Sequence, residues 1–200
     1  MFYRLTVWLI WLLSRLFYRN KIIWEVAPSE LPSSCIIAPN HASYLDPPLV
    51  AASWPSALDF FAGSHLFEKT FLRTVLPHLH CHPVTKGQEL ATIRLAIDLL
   101  LQGKSIVLFP EGTRSGGGDI LPLREGVALL SIRSKRPVVP CYLKGTYDAW
   151  PRSKAIPKFF GMRTLCHFGR PVFPADYTTK QEMTAAIQAE LDRLVRLHTC

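Results

Sequence analysis

The sequence predicts an α/β fold: a single domain with a mainly parallel sheet flanked by helices, preceded by an N-terminal apolar membrane-interface helix. Three observations predict it. Short apolar runs of strand type alternate with helical patterns along the chain, the order that builds parallel strands joined by helical crossovers. The 200 residues, 48% hydrophobic and 19% charged, suffice for one domain with a real core, are too few for two, and exclude a disordered chain. The first 24 residues stand apart, with four basic side chains, no acid, and an apolar run from Leu5 to Leu13 broken only by Thr6. The boundaries expected are therefore a membrane-associating helical segment over 1–24 and the α/β domain over 25–200.

Taken in order, the first element is that N-terminal helix. Ten residues separate Arg4 from Arg15, against roughly 20 for a bilayer-spanning helix. Bulky Leu16-Phe17-Tyr18 follows, where a signal peptide would have small residues. Two Trp with basic flanks suit a helix lying in the interface; packing on the domain or on another subunit is the alternative. Cys35 to Ala38 reads as a buried strand, Pro47 to Trp54 as a short helix, and Leu58 to Ala62 as a second strand. His65 to Leu76 is helical in pattern, and Pro83 to Thr85 extended. Glu89 to Gln102 has a broad apolar face and a terminating Gly103. Ser105 to Phe109 is a strand, Glu125 to Ser134 a helix, and Pro137 to Tyr142 a strand. An irregular Pro- and Lys-containing loop spans Trp150 to Phe160, and a strand over Arg163 to Phe168 and a helix over Lys180 to Leu197 complete the chain.

Chemistry in such sheets collects beyond the carboxyl ends of strands. Two polar clusters sit there. Asn40-His41-Ala42-Ser43-Tyr44-Leu45-Asp46 follows the first strand, and Phe109-Pro110-Glu111-Gly112-Thr113-Arg114-Ser115 follows the strand ending at Phe109. A turn between His41 and Asp46 can bring the carboxylate to one ring nitrogen, leaving the other as a base near neutral pH. Alternatively, Asp46, just before Pro47-Pro48, caps a helix and His41 is a turn residue. In the second cluster an Arg on a Gly-containing loop suits a phosphate, because its donors match phosphate oxygens; an ion pair between Glu111 and Arg114 is the structural alternative.

Together these clusters resemble the glycerolipid acyltransferase family, which includes 1-acylglycerol-3-phosphate acyltransferases and carries an NHxxxxD block followed by FPEGTRS. A later VPxxxxG block matches at Val139 to Gly145. The resemblance implies transfer of a fatty acyl group from acyl-CoA or acyl-carrier protein to the hydroxyl of a lysophospholipid, in phospholipid biosynthesis. It makes His41 the general base, Asp46 its orienter, and Glu111, Gly112, Thr113 and Arg114 the acceptor-binding residues, with Lys86 adding a point charge for phosphate. No cofactor and no metal are implied. The family's second block departs here: Gly63-Ser64-His65 lacks its usual Lys, and Lys86 stands where Arg is usual. Another lysolipid acceptor is thereby left open, as is a non-catalytic basic lipid-binding module of the same fold.

Charge and remaining motifs bound the rest. Lys and Arg number 23 against 15 Asp and Glu, a net charge of +8, which points to an anionic partner. From Arg133 to Arg170, both included, there are nine basic residues and one acid. With the apolar N-terminus, this favours a phospholipid membrane over nucleic acid, and a membrane-associated location on the cytoplasmic face. Five cysteines without a CxxC pair suit a reducing compartment. His78, His80 and His82 alternate and would share a face on a strand, as a metal site or a polar turn. A Cys-dependent acyl carrier or thioesterase using Cys81 or Cys35 is a further alternative. There is no GxSxG nucleophile elbow.

Overall fold

A computed structural model of the protein describes residues 1–199. Seven strands form one sheet in the order β1-β7-β6-β2-β5-β3-β4. They are β1 (Lys21–Trp24), β2 (Ile36–Pro39), β3 (Leu58–Gly63), β4 (Cys81–Val84), β5 (Ser105–Val107), β6 (Val138–Lys144) and β7 (Leu165–Phe168). β6, β2, β5, β3 and β4 run parallel; β7 is antiparallel to β6 and parallel to β1. The mainly parallel sheet is thus realised, with its last two strands reversed.

Adjacent residues in the central strands face opposite layers, as the period of two requires. Ile37, Val107 and Val139 pack with Leu49 and Val50 of α2 (Asp46–Ser53) and with Trp54 just past it, on the side that also carries α1 (Phe2–Tyr18). Ile36, Ile106 and Val138 pack against α4 (Glu89–Leu101), α5 (Gly126–Ser134) and α7 (Lys180–Arg196). Each large apolar side chain buried this way contributes roughly 1.5–3 kcal/mol. Local chemistry sets the helix limits. Thr179 and Glu182 form a reciprocal capping box on α7, and Gly103, at φ +83°, follows the last turn of α4.

Several expectations shift. Lys21–Trp24, read as the end of the membrane-associating segment, is a sheet strand paired with Leu165–Phe168. Arg19 adopts a left-handed conformation (φ 44°) that ends α1, and the Ile-Ile-Trp run beyond it has strand character. The helix expected over His65 to Leu76 splits into a 3-10 turn at Ser64–Glu68 and α3 (Thr70–His78). His78, His80 and His82 do not share a face. His78 ends α3, His80 is left-handed (φ 55°) and stacks on Tyr3, and His82 alone lies in β4. One short helix, α6 (Thr146–Ala149), appears in no sequence pattern. Gly145 before it must be glycine: φ is +78°, and a Cβ would stand 2.1 Å from the Arg163 carbonyl oxygen.

Both faces of α1 are apolar. Tyr3 is buried and its hydroxyl accepts the Leu58 amide proton at 2.9 Å; Ser14 and Tyr18 are buried on the same side. Leu5, Trp8, Leu9, Leu12 and Leu16 are exposed on the other. Packing on the domain, the alternative for this helix, therefore describes one of its stripes. Among the described residues no helix is long and apolar enough to cross a membrane.

Candidate active site

β2 and β5 are neighbours, with Ile37 opposite Val107, so the loops leaving their carboxyl ends meet. Asn40 ties the first loop down: its side-chain amide donates to the Leu143 carbonyl at 3.1 Å and accepts the Leu143 amide proton at 2.7 Å. This extends the β2–β6 ladder by one side chain. The second loop then holds both backbone polar groups of His41. The His41 amide donates to Glu111 Oε1 at 2.6 Å, and the Ser115 amide donates to the His41 carbonyl at 2.8 Å.

His41 and Asp46 form the expected pair, with Nδ1 and Oδ2 2.9 Å apart. Asp46 is fully buried, and the same oxygen accepts the amides of Ala42 and Ser43, each at 2.7 Å. A carboxylate only accepts, so Nδ1 carries the proton and Nε2 keeps the free lone pair. The ring lies on Phe109, centroids 3.9 Å apart and planes 23° apart. Helix capping is not what Asp46 does. It is the first residue of α2, whose N-cap is Leu45, and its carboxylate folds back onto the turn instead. Pro47 and Pro48 start the helix without needing amide acceptors there.

The acceptor-binding group divides. Glu111 is 3% exposed, and its second oxygen accepts the Leu121 amide at 3.0 Å; both oxygens thus position loops. Burial raises its carboxyl above the usual range, against the opposing bonds from Leu121 and His41. The ion pair with Arg114 does not form. Arg114 instead lies over Tyr44, its guanidinium carbon 3.9 Å from the ring centroid, with Nη1 buried and unbonded. Gly112 has φ +71° and its amide donates to Phe109, so that amide is not free to meet an oxyanion. Thr113 is exposed beside it. Lys86 is exposed past the end of edge strand β4, which stands three places from β2 in the sheet order.

Beside the pair lies an apolar cavity of about 320 Å³, walled by Tyr3, Val7 and Ile10 of α1, Pro47 and Ala51 of α2, Phe60 of β3, Cys81 and Phe109. Phe109 and Pro47 connect it to the dyad, since one stacks on His41 and the other follows Asp46. Tyr44, Phe109 as a ring partner, and this cavity carry no signal in the sequence; the last is assembled from segments as far apart as Tyr3 and Phe109. Burial pushes the Cys35 and Cys81 thiols up to about 11, which makes poor nucleophiles of both.

Comparison with known proteins bears on this geometry. The family model described as Acyltransferase matches residues 25–144. A 1-acyl-sn-glycerol-3-phosphate acyltransferase of Bacillus subtilis (strain 168) is 26% identical over 170 residues, covering 82% of this chain and 81% of its own. One from Limnanthes alba is 34% identical over 80 residues, 40% of this chain; the match spans only 28% of the plant enzyme. Among solved structures, the 1-acyl-sn-glycerophosphate (LPA) acyltransferase PlsC of Thermotoga maritima superposes with a TM-score of 0.79 at 22% identity, covering 97% of this chain and 80% of that one; it shares the fold.

Proposed function

The chain belongs to the acyltransferase family, and on that premise we propose that it moves a fatty acyl group from an acyl thioester to the free hydroxyl of 1-acylglycerol 3-phosphate. The observation that carries the reading is the 2.9 Å pair of His41 Nδ1 and Asp46 Oδ2, which orients an imidazole whose Nε2 can take a proton. The hydroxyl of the acceptor loses its proton to Nε2, its oxygen attacks the thioester carbonyl, and the tetrahedral intermediate expels the thiolate. The proton on His41 then passes to the thiolate, so base and charge are restored. No covalent enzyme intermediate is required, because a thioester is already activated. The apolar cavity beside Phe109 suits an acyl chain, and the relatives from Bacillus and Limnanthes are named for the same acceptor.

The acyl donor is acyl-CoA or acyl-carrier protein, and no cofactor enters this scheme. The protein works on a phospholipid membrane at its cytoplasmic face, docked through the exposed stripe of α1. Phe17 links that stripe to Phe159 and Phe160 of the basic Trp150 to Phe160 loop, with ring centroids 5.8 and 5.4 Å away. Aromatic and basic groups together suit an anionic headgroup layer. Mass spectrometry of products from a panel of lysolipids, each offered with acyl-CoA and with acyl-carrier protein, tests the reading. A diacyl product from the phosphate monoester is expected; transfer to none of the lysolipids would sink it.

A further inference from the structure

The turn at Glu111 to Ser115 carries a cation that none of the motif blocks contains. A Cβ built on Gly112 would stand 2.8 Å from Nε of Arg124, 2.9 Å from its Cδ and 3.1 Å from its Cζ. The guanidinium of Arg124 therefore lies across the bare Cα of Gly112. The returning segment puts it there: Leu121 donates its amide to Glu111 Oε2, and Arg124 donates its own to the Pro110 carbonyl at 2.8 Å.

Two guanidinium groups thus occupy one short turn, Arg124 across Gly112 and Arg114 over Tyr44. Neither is in an ion pair among the described residues. Of the acids nearby in sequence, Glu111 holds two backbone amides, Glu125 pairs with Lys180 at 2.7 Å, and Asp119 is exposed and makes no ion pair with either arginine. Like charges held at one turn repel, and an anion bound by both relieves the repulsion. Their planar forks match phosphate oxygens, which a point charge does not.

We propose that Arg124 is a specificity-determining residue of the acceptor site, pairing with Arg114 to favour a doubly charged phosphate monoester over a singly charged phosphodiester headgroup. The proposal rests on the acyl-acceptor reading above and names the residue that sets its preference for that headgroup. A monoester carries close to two negative charges at neutral pH, and a diester carries one.

Steady-state kinetics of the wild type, Arg124→Gln and Arg124→Lys with 1-acylglycerol 3-phosphate and with the diester 1-acylglycerol 3-phosphoglycerol test it. Calorimetric binding of glycerol 3-phosphate, without any thioester, is measured alongside. Arg124→Gln is expected to raise KM for the monoester ~10–100-fold, the loss of one or two charge-assisted bonds. KM for the diester and for the thioester should stay near wild type, and so should the melting temperature. Arg124→Lys should fall between, since it restores charge without the fork, and glycerol 3-phosphate affinity should follow the same order. Equal rises for monoester and diester, or a rise tied to a lower melting temperature, overturn the proposal and make Arg124 a cover for the turn. A wild type that acylates lysolipids but binds glycerol 3-phosphate independently of Arg124 also overturns it. Arg124-dependent binding in a protein that transfers no acyl group supports the anion site while sinking the acyltransferase reading.

Discussion

At His41 the two motif blocks become one object, because the Glu111 carboxylate and the Ser115 amide grip its backbone while Asp46 and Phe109 set its ring. His41→Ala should lower turnover by about 10²–10⁴ with an unchanged melting temperature, measured on purified protein. Retained turnover would remove His41 from the mechanism. Asp46→Asn separates charge from shape. The amide oxygen can still accept the Ala42 and Ser43 amides, but the charge opposite the developing imidazolium is lost, so kcat should fall more than stability. Glu111 offers a sharper contrast between binding and positioning. Glu111→Gln points an NH2 group at one of two backbone amides, loosening the His41 loop, so kcat should drop with little change in acceptor KM. A raised acceptor KM with unchanged kcat would instead return Glu111 to the acceptor-binding role that family resemblance implies.

Among the elements, α1 is a wall before it is an anchor. Its inner stripe lines the cavity and sends the Tyr3 hydroxyl to the Leu58 amide, while its outer stripe meets solvent. A chain shortened to begin at Asn20 should therefore lose liposome co-sedimentation, melting temperature and activity on soluble acceptors together. Tyr3→Phe isolates the inner stripe. A buried amide left unbonded costs about 1–3 kcal/mol, worth roughly 2–4 °C of melting temperature per kcal/mol in a domain this size, while liposome binding should persist. At the other end of the chain, His198 follows α7, and its Nε2 lies 2.7 Å from His167 Nδ1. Burial lowers the His167 imidazole, with Glu25 opposing, and burial with Lys144 and Lys21 lowers that of His198. The folded state thus sheds protons that the unfolded chain binds. The resulting stability is present above the unfolded pKa near 6.5 and is lost as pH falls below it. The melting temperature should decline from about pH 7.5 to about 5.5, less steeply in His198→Phe; equal slopes would remove the pair as the cause.

For the whole molecule, net charge and shape combine at one surface. The formal charge is +8, and the exposed stripe of α1 adjoins Phe159, Phe160 and the lysines around them. Binding to vesicles rich in anionic lipid should weaken as salt rises, because exposed charges are screened beyond about 8–10 Å. The apolar part should remain. Salt-independent binding to neutral and anionic vesicles alike would leave the basic loop out of the interaction.

The order of strands and helices, the turn that pairs His41 with Asp46, and the clustering of Glu111 to Ser115 were legible in the chain because each is set within a few residues, by apolar period, by Pro and by Gly. Lys21–Trp24 was not, since four residues become a strand only when β7 offers an edge. The same holds for Glu111. A carboxylate beside a Gly and an Arg reads as a ligand-binding group, and only the approach of the His41 and Leu121 amides, from 70 residues before and ten after, turns it into a structural clamp. Arg124 carries no local signal at all; it reaches Gly112 because a returning loop places it where a bare Cα leaves room. The sequence by itself determined which chemistry is present and at which edge of the sheet. The tertiary structure decided which charged groups face an open site and which are consumed in building it, because buried hydrogen-bond partners come from distant segments that no local pattern encodes.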